Sequence, residues 1–148
     1  MEISLEQQDG EWYNSFPHRG GVYDLIYTAV SATGTEDRLR AVVALGKSGD
    51  PRAVRPLGDL LGDTDREIRL AATTALGNLK SGRPVDELIG RLRDRSEEML
   101  IREQAAVALN AIRSTGALYG LREFIEDDDE DRELRSYAGN LLKDSGTL

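Results

Sequence analysis

Apolar positions recur along most of the chain at the three- and four-residue intervals of an α-helix. Ile68, Ala72, Ala75, Leu76 and Leu79 fall at i, i+4, i+7, i+8 and i+11, which places them on one face of a helix. The small alanines on that face allow a neighbouring helix to approach closely. The pattern predicts an amphipathic helix that packs against others.

This helical pattern returns at a nearly constant interval. The segments RLRAVVALG, RLAATTALG, REQAAVALN and RSYAGNLLK align without gaps from Arg38, Arg69, Arg102 and Arg135, in steps of 31, 33 and 33 residues. A second apolar pattern precedes each one: VYDLIYTAV, AVRPLGDLL, PVDELIGRL and ALYGLREFI. The sequence therefore predicts four helix pairs, in units of about 22–48, 49–80, 81–113 and 114–145, after a non-repeating N-terminal segment, 1–21.

Prolines and glycines mark the expected ends of these helices. Asp50 is expected to cap a helix whose first position is Pro51, where a missing N–H costs nothing. Pro56, five residues further on, predicts a kink, or a short turn over 51–54 followed by a helix that begins near Pro56. Glycines also lie near the helix ends, where left-handed C-caps are expected: Gly46, Gly49, Gly77, Gly82 and Gly116.

The second unit carries a family resemblance. Residues 44–79, ALGKSGDPRAVRPLGDLLGDTDREIRLAATTALGNL, resemble the short HEAT repeats of phycobilin lyases (PBS lyase HEAT-like repeats), and the resemblance extends over about 22–144. The spacing is shorter than the roughly 40–47 residues of typical HEAT units, and the tetratricopeptide and ankyrin signatures do not occur. The resemblance implies an all-α fold, a right-handed α-solenoid (an α–α superhelix).

The resemblance also implies a ladder of ion pairs. In the family, an aspartate that closes the first helix of a unit pairs with the arginine of the second helix. The positions that match are Asp63 with Arg69, Asp94 with Arg102, and Asp127 with Arg135. We expect these residues to hold units together rather than to contact a ligand.

Composition excludes several classes of function. The chain has no cysteine, which removes disulfides, thiolate metal sites and a cysteine nucleophile. Its formal net charge of −8 opposes nucleic-acid binding, which depends on basic residues. Apolar runs are too short for a membrane span and residues 1–10 do not resemble a signal peptide, so a cytoplasmic location is expected.

Motifs for catalysis or metal binding are incomplete. The GKS at 46–48 lacks the upstream glycine of a P-loop, and the acidic run 126–131 has Arg132 where an EF-hand loop requires glycine. Some HEAT-like enzymes bind iron through paired His-Glu motifs, but the single histidine, His18, is followed by Arg19. We therefore expect no catalytic residue, metal or cofactor.

A protein-binding surface is expected on the face of the second helices opposite their core. In HEAT arrays, these helices line the concave surface, which is apolar here in the first three units and polar in the fourth. The predicted partner-binding residues are Leu39, Val43, Leu70, Thr74, Glu103, Val107, Ser136 and Asn140. A wheel offset of one position would instead bury them.

The expected function is thus a non-catalytic protein-interaction module or scaffold that binds an unidentified protein. The alternative is a bilin lyase or chaperone-like subunit that acts on chromophore-bearing proteins; the cysteine modified by such lyases belongs to their substrate. In the N-terminal segment, Trp12, Tyr13 and Phe16 either cover the free end of the first unit, or are disordered, or dock into another molecule or another copy.

Overall fold

The computed structural model describes residues 21–146, and this part of the chain contains eight α-helices and no strand. A 3₁₀ turn, Pro51–Ala53, precedes α3. The helices are α1 (Val22–Ser31), α2 (Thr35–Lys47), α3 (Val54–Leu60), α4 (Arg66–Leu79), α5 (Val85–Arg93), α6 (Met99–Ile112), α7 (Thr115–Glu126) and α8 (Arg132–Asp144). Two helices fall in each of the four units, so the architecture is an α-solenoid.

The core runs continuously between two rows of helices, because each unit contributes an apolar residue from both of its helices at the same repeat position. The first helices contribute Ile26, Leu57, Leu88 and Leu121, and the second helices contribute Leu45, Leu76, Leu109 and Leu142, all of them fully buried. Since neighbouring units share this core, each depends on the next for burial of its apolar face.

Gly46 and Gly77 set the spacing between second helices. A Cβ atom on Gly46 would lie 2.8 Å from the Cα of Ala75 in α4, and one on Gly77 would lie 3.0 Å from the Cα of Ala108 in α6. Both glycines lie within their helices and are not the predicted C-caps, whereas Gly49, just after α2, has the left-handed φ expected there, at 67°. Helix α4 ends instead at Lys80, which has a left-handed φ of 54°.

The row of second helices lies on the inner side of the curve. Helix α2 packs along α4, and α4 packs along α6, whereas α3 and α5 of the first-helix row have at most a peripheral contact. In a curved stack the more closely packed row is the inner one. The side of α2, α4, α6 and α8 that faces away from the core is therefore the concave surface of the solenoid.

The prolines shape the second unit much as the sequence indicates. The Asp50 carboxylate accepts a hydrogen bond from the backbone N–H of Arg52 at 2.9 Å and caps the 3₁₀ turn that Pro51 begins. Helix α3 then begins at Val54, two residues before the predicted start. Pro56 is its third residue, where a backbone N–H has no partner within the helix, so the proline is accommodated in the first turn.

Candidate functional site

The structure places all eight predicted partner-binding residues at the surface. Val43, Thr74, Ser136 and Asn140 are exposed, and Leu39, Leu70, Glu103 and Val107 are half-buried. They occupy two repeat positions, one helical turn apart, on α2, α4, α6 and α8. The wheel offset that would have buried them is therefore excluded.

Apolar side chains on this face are available for contact in the first three units. Val43 is 46% exposed, and Leu70 and Val107 lie at the surface outside the main core cluster. Leu39 differs from them because it packs partly against the core. Met99, 42% exposed, lies four residues before Glu103 and extends the apolar surface along α6. We call Val43, Leu70, Val107 and Met99 the apolar strip.

Shallow grooves lie at the two ends of this face. One, of about 460 Å³, follows α2 and contains Leu39 and Val43 beside charged residues such as Arg40. The other, of about 450 Å³, contains Ser136 and Asn140 on α8. The first is partly apolar and the second is polar, so the two ends of the face differ in the ligand chemistry that they suit.

The arginines form a ladder, but not with the predicted partners. Three of them reach the acidic residue of the following unit: Arg38 pairs with Asp63 at 2.6 Å, Arg69 with Glu97 at 3.0 Å, and Arg102 with Glu130 at 3.3 Å. The fourth, Arg135, pairs with Asp128 of its own unit at 3.1 Å. The predicted side-chain pairs of Asp63 with Arg69, Asp94 with Arg102, and Asp127 with Arg135 are therefore wrong. Arg69 reaches Asp63 only at its backbone carbonyl, to which Nη1 donates at 2.9 Å.

The three predicted aspartates close turns. Asp63, Asp94 and Asp127 each accept a hydrogen bond from the backbone N–H two residues later, at 2.9, 2.9 and 3.1 Å. Asp94 also pairs with Arg91, and Asp127 with Arg93. Aspartate suits this position because its short side chain reaches the nearby backbone.

Sequence reasoning missed Glu97 and Glu130, the acidic partners in the third and fourth units. Their side chains are 3% and 5% exposed. Their positions in the sequence are regular, since each glutamate lies 28 residues after the arginine that it binds and five residues before the next repeat arginine. This spacing did not lead to a prediction, because the local sequence pattern does not show that the arginine and the glutamate pair across two units.

Hydrogen bonds keep two ladder carboxylates charged. Burial alone would raise the pKa of Asp63, but hydrogen bonds from Arg38 and from the backbone of Asp65 outweigh burial, so the pKa is lowered. The pKa of Glu97 is lowered in the same way, with Arg69 as its main hydrogen-bond donor. These groups are satisfied within the fold, which assigns them to structure rather than to chemistry on a substrate.

The carboxylates of the described residues do not form a metal site. Within 21–146, no three or more His, Asp or Glu side chains are grouped so that they could hold a metal ion. In the acidic run, Asp127 closes a turn and Asp131 caps α8 through the N–H of Leu134. Trp12, Tyr13 and Phe16 lie outside the described residues.

Comparisons with known proteins define the class. A family model described as HEAT repeats matches residues 24–101, more than half of the chain. The chain therefore belongs to the HEAT-repeat family, whose members commonly mediate protein–protein interactions. No helix within the described residues has the length and apolar character needed to cross a membrane.

A solved structure of similar fold is that of human deoxyhypusine hydroxylase in complex with glycerol. It matches with a TM-score of 0.72 and 25% sequence identity, over 83% of this chain and 42% of that one. The present chain thus spans less than half the length of that protein. No curated protein matches the chain.

Proposed function

We propose that this chain is a non-catalytic protein-interaction module that binds a segment of a partner protein on its concave face. The observation that supports the proposal is the apolar strip, in which Val43 and Val107 occupy the same repeat position on α2 and α6 and Leu70 lies one helical turn earlier on α4, between them. Val43 is exposed and Leu70 and Val107 are half-buried, and accessible apolar side chains that recur on one face of successive repeats are typical of a binding site.

The strip suits an apolar stripe on a partner helix or extended segment. Burial of one such side chain contributes about 1.5–3 kcal/mol, so a few of them can supply a useful share of a binding free energy. Charged neighbours such as Arg40 and Glu103 would then form the polar rim of the contact.

The 31–33-residue step supports membership of the short, phycobilin-lyase type of HEAT repeat. A bilin lyase or chaperone-like activity would show as an absorbance shift when a free bilin is added. We do not extend hydroxylase activity to this chain, because the similarity covers only 42% of the hydroxylase chain.

Affinity capture with a doubly substituted chain tests the proposal. Val43→Glu with Leu70→Glu places two charges in the strip at surface positions, so the fold should persist, as judged by circular dichroism. We expect this variant to lose partners that the wild-type chain recovers from a lysate of its source cells.

The matched control is Tyr27→Glu with Tyr119→Glu, two exposed residues on the first-helix side. This control should recover the same partners as wild type. Equal recovery by a folded Val43→Glu, Leu70→Glu chain would refute the proposed site.

A further inference from the structure

A cleft of about 650 Å³ lies on the other side of the solenoid, between the first helices of units two and three. One wall is formed by the 3₁₀ turn and α3, and the other by the start of α5. Because this cleft shares no residue with the apolar strip, a ligand bound in it would be independent of the proposed function.

The cleft exists because one side chain is missing from the repeat. Between α5 and α7, Ile89 packs so closely over Gly120 that a Cβ there would lie 2.9 Å from the Ile89 Cγ1 atom. One unit earlier, the equivalent positions hold Gly58 on α3 and Glu87 on α5. Gly58 has open space around it, so α3 lacks the side chain that fills the gap between α5 and α7, where Ile89 packs over Gly120.

The cleft wall carries three arginines and two carboxylates, and one of these arginines, Arg52, is already paired with Asp50 beside the cleft at 2.5 Å. Arg52, Arg55 and Arg83 line it together with Asp59 and Glu87. The side chains of Arg55 and Arg83 form no ion pair with any residue in 21–146. In a chain with a net charge of −8, these two guanidinium groups are the positive groups of the cleft that an acidic ligand could bind.

The remaining surface of the cleft is rigid and apolar. Pro51, Pro56 and Pro84 line it with Val54; Pro51 is exposed, whereas the other three are largely buried and present only part of their surface to the cleft. Proline rings hold their backbone in place before any ligand binds. Aromatic side chains pack well against such rings and stack on arginine. The cleft thus suits an extended acidic peptide that also carries aromatic residues.

We propose that the N-terminal segment of this chain, residues 1–20, docks in the cleft. The segment carries four carboxylates, at Glu2, Glu6, Asp9 and Glu11, against the one cation of Arg19, for a net charge of −3. It also carries Trp12, Tyr13 and Phe16 within five positions. Its chemistry therefore complements both the arginines and the proline rings.

The segment also leaves the described fold beside the cleft. Only two residues after Gly21, the ring of Tyr23 lies 4.8 Å from the guanidinium carbon of Arg52 on the cleft wall. Trp12 is nine residues before Gly21, a reach of about 30 Å when extended. Helix α3, with seven residues, is only about 10 Å long, so the segment is long enough to cross the cleft.

Fluorescence of Trp12, the single tryptophan, tests this assignment in the full chain. Gly58→Ile would supply the missing side chain and fill the cleft. Gly90→Ile is the matched control, since Gly90 lies on α5 outside the cleft lining with open space around it. We expect acrylamide to quench Trp12 at least about twofold more strongly in Gly58→Ile than in wild type, and Gly90→Ile to resemble wild type.

A second variant tests the charge contribution separately. Arg55→Glu with Arg83→Glu should also expose Trp12, whereas Arg40→Glu with Arg132→Glu, which changes the net charge equally on the opposite side, should not. Quenching that is unchanged in folded Gly58→Ile and Arg55→Glu, Arg83→Glu chains would overturn the proposal. Protection of Trp12 that appears only at high protein concentration would also overturn it, in favour of docking into a second copy.

Discussion

At the scale of single residues, the two glycines between second helices show how strongly spacing depends on one missing atom. Gly46 and Gly77 are in helices, where glycine is normally unfavourable. Each nevertheless allows an alanine of the next second helix to pack directly against its backbone. The gain in packing of the inner row outweighs the loss of helix propensity.

Gly46→Ala should therefore destabilise the fold, although alanine is the better helix former. The added Cβ would lie 2.8 Å from both the Cα and the Cβ of Ala75, and overpacking of this kind costs about 1–3 kcal/mol. Gly139→Ala in α8, which has open space, should instead stabilise by up to about 1 kcal/mol. Urea unfolding measures both, and a neutral Gly46→Ala would show that the helices are not held this closely.

Single carboxylates of the ladder should make stability depend on pH. Because the pKa of Glu97 is lowered in the folded state, its contribution is complete above the unfolded-state pKa and is lost as the pH falls through the folded-state pKa. Thermal unfolding of wild type and Glu97→Gln should thus differ most near neutral pH and converge below about pH 4. A constant difference across this range would contradict the lowered pKa.

At the scale of helices, the repeat arginine of each of the first three second helices joins two units. Arg102 donates from Nε to the carbonyl of Leu92 at the end of α5 and from Nη2 to Glu130 of the fourth unit. Arg93 and Arg95 also face Glu130, at 3.3 and 3.9 Å. One buried carboxylate thereby fixes the junction between the third and fourth units.

Removal of that carboxylate should loosen the junction. Glu130→Ala leaves Arg102, whose side chain is 6% exposed, without its charged partner, and loss of one member of a buried pair costs about 3–5 kcal/mol. Asp128→Ala is the control, since its side chain is 95% exposed beside Arg135 and should contribute little. Hydrogen exchange in α7 and α8 should increase in the first variant alone; equal exchange in both would argue against the junction.

At the scale of the whole molecule, helix periodicity and the repeated arginines were enough to predict four helix pairs, because both are local signals that recur in every unit, and the resemblance to short HEAT repeats implied their arrangement as a solenoid. The partner of each arginine was not predictable in the same way, since Glu97 and Glu130 become neighbours of Arg69 and Arg102 only when units stack. The cleft was harder still to foresee, because it results from an absent side chain at Gly58.

The exposed positions of the concave face followed from the same periodicity, but the chemistry of a partner did not. Which face of a second helix remains open depends only on which face is buried, and the apolar residues report that directly. A partner is specified by side chains outside this chain. The open face of the second helices could therefore be predicted, whereas the identity of a molecule that binds it could not.

The most direct test of the central claim is photocross-linking from the concave face in living cells. A photoreactive phenylalanine placed at Val43, at Thr74 or at Val107 should capture the same partner from all three positions, and one placed at Tyr119 on the other side should not. A partner captured equally well from Tyr119, or none from the three concave positions of a folded chain, would contradict the account.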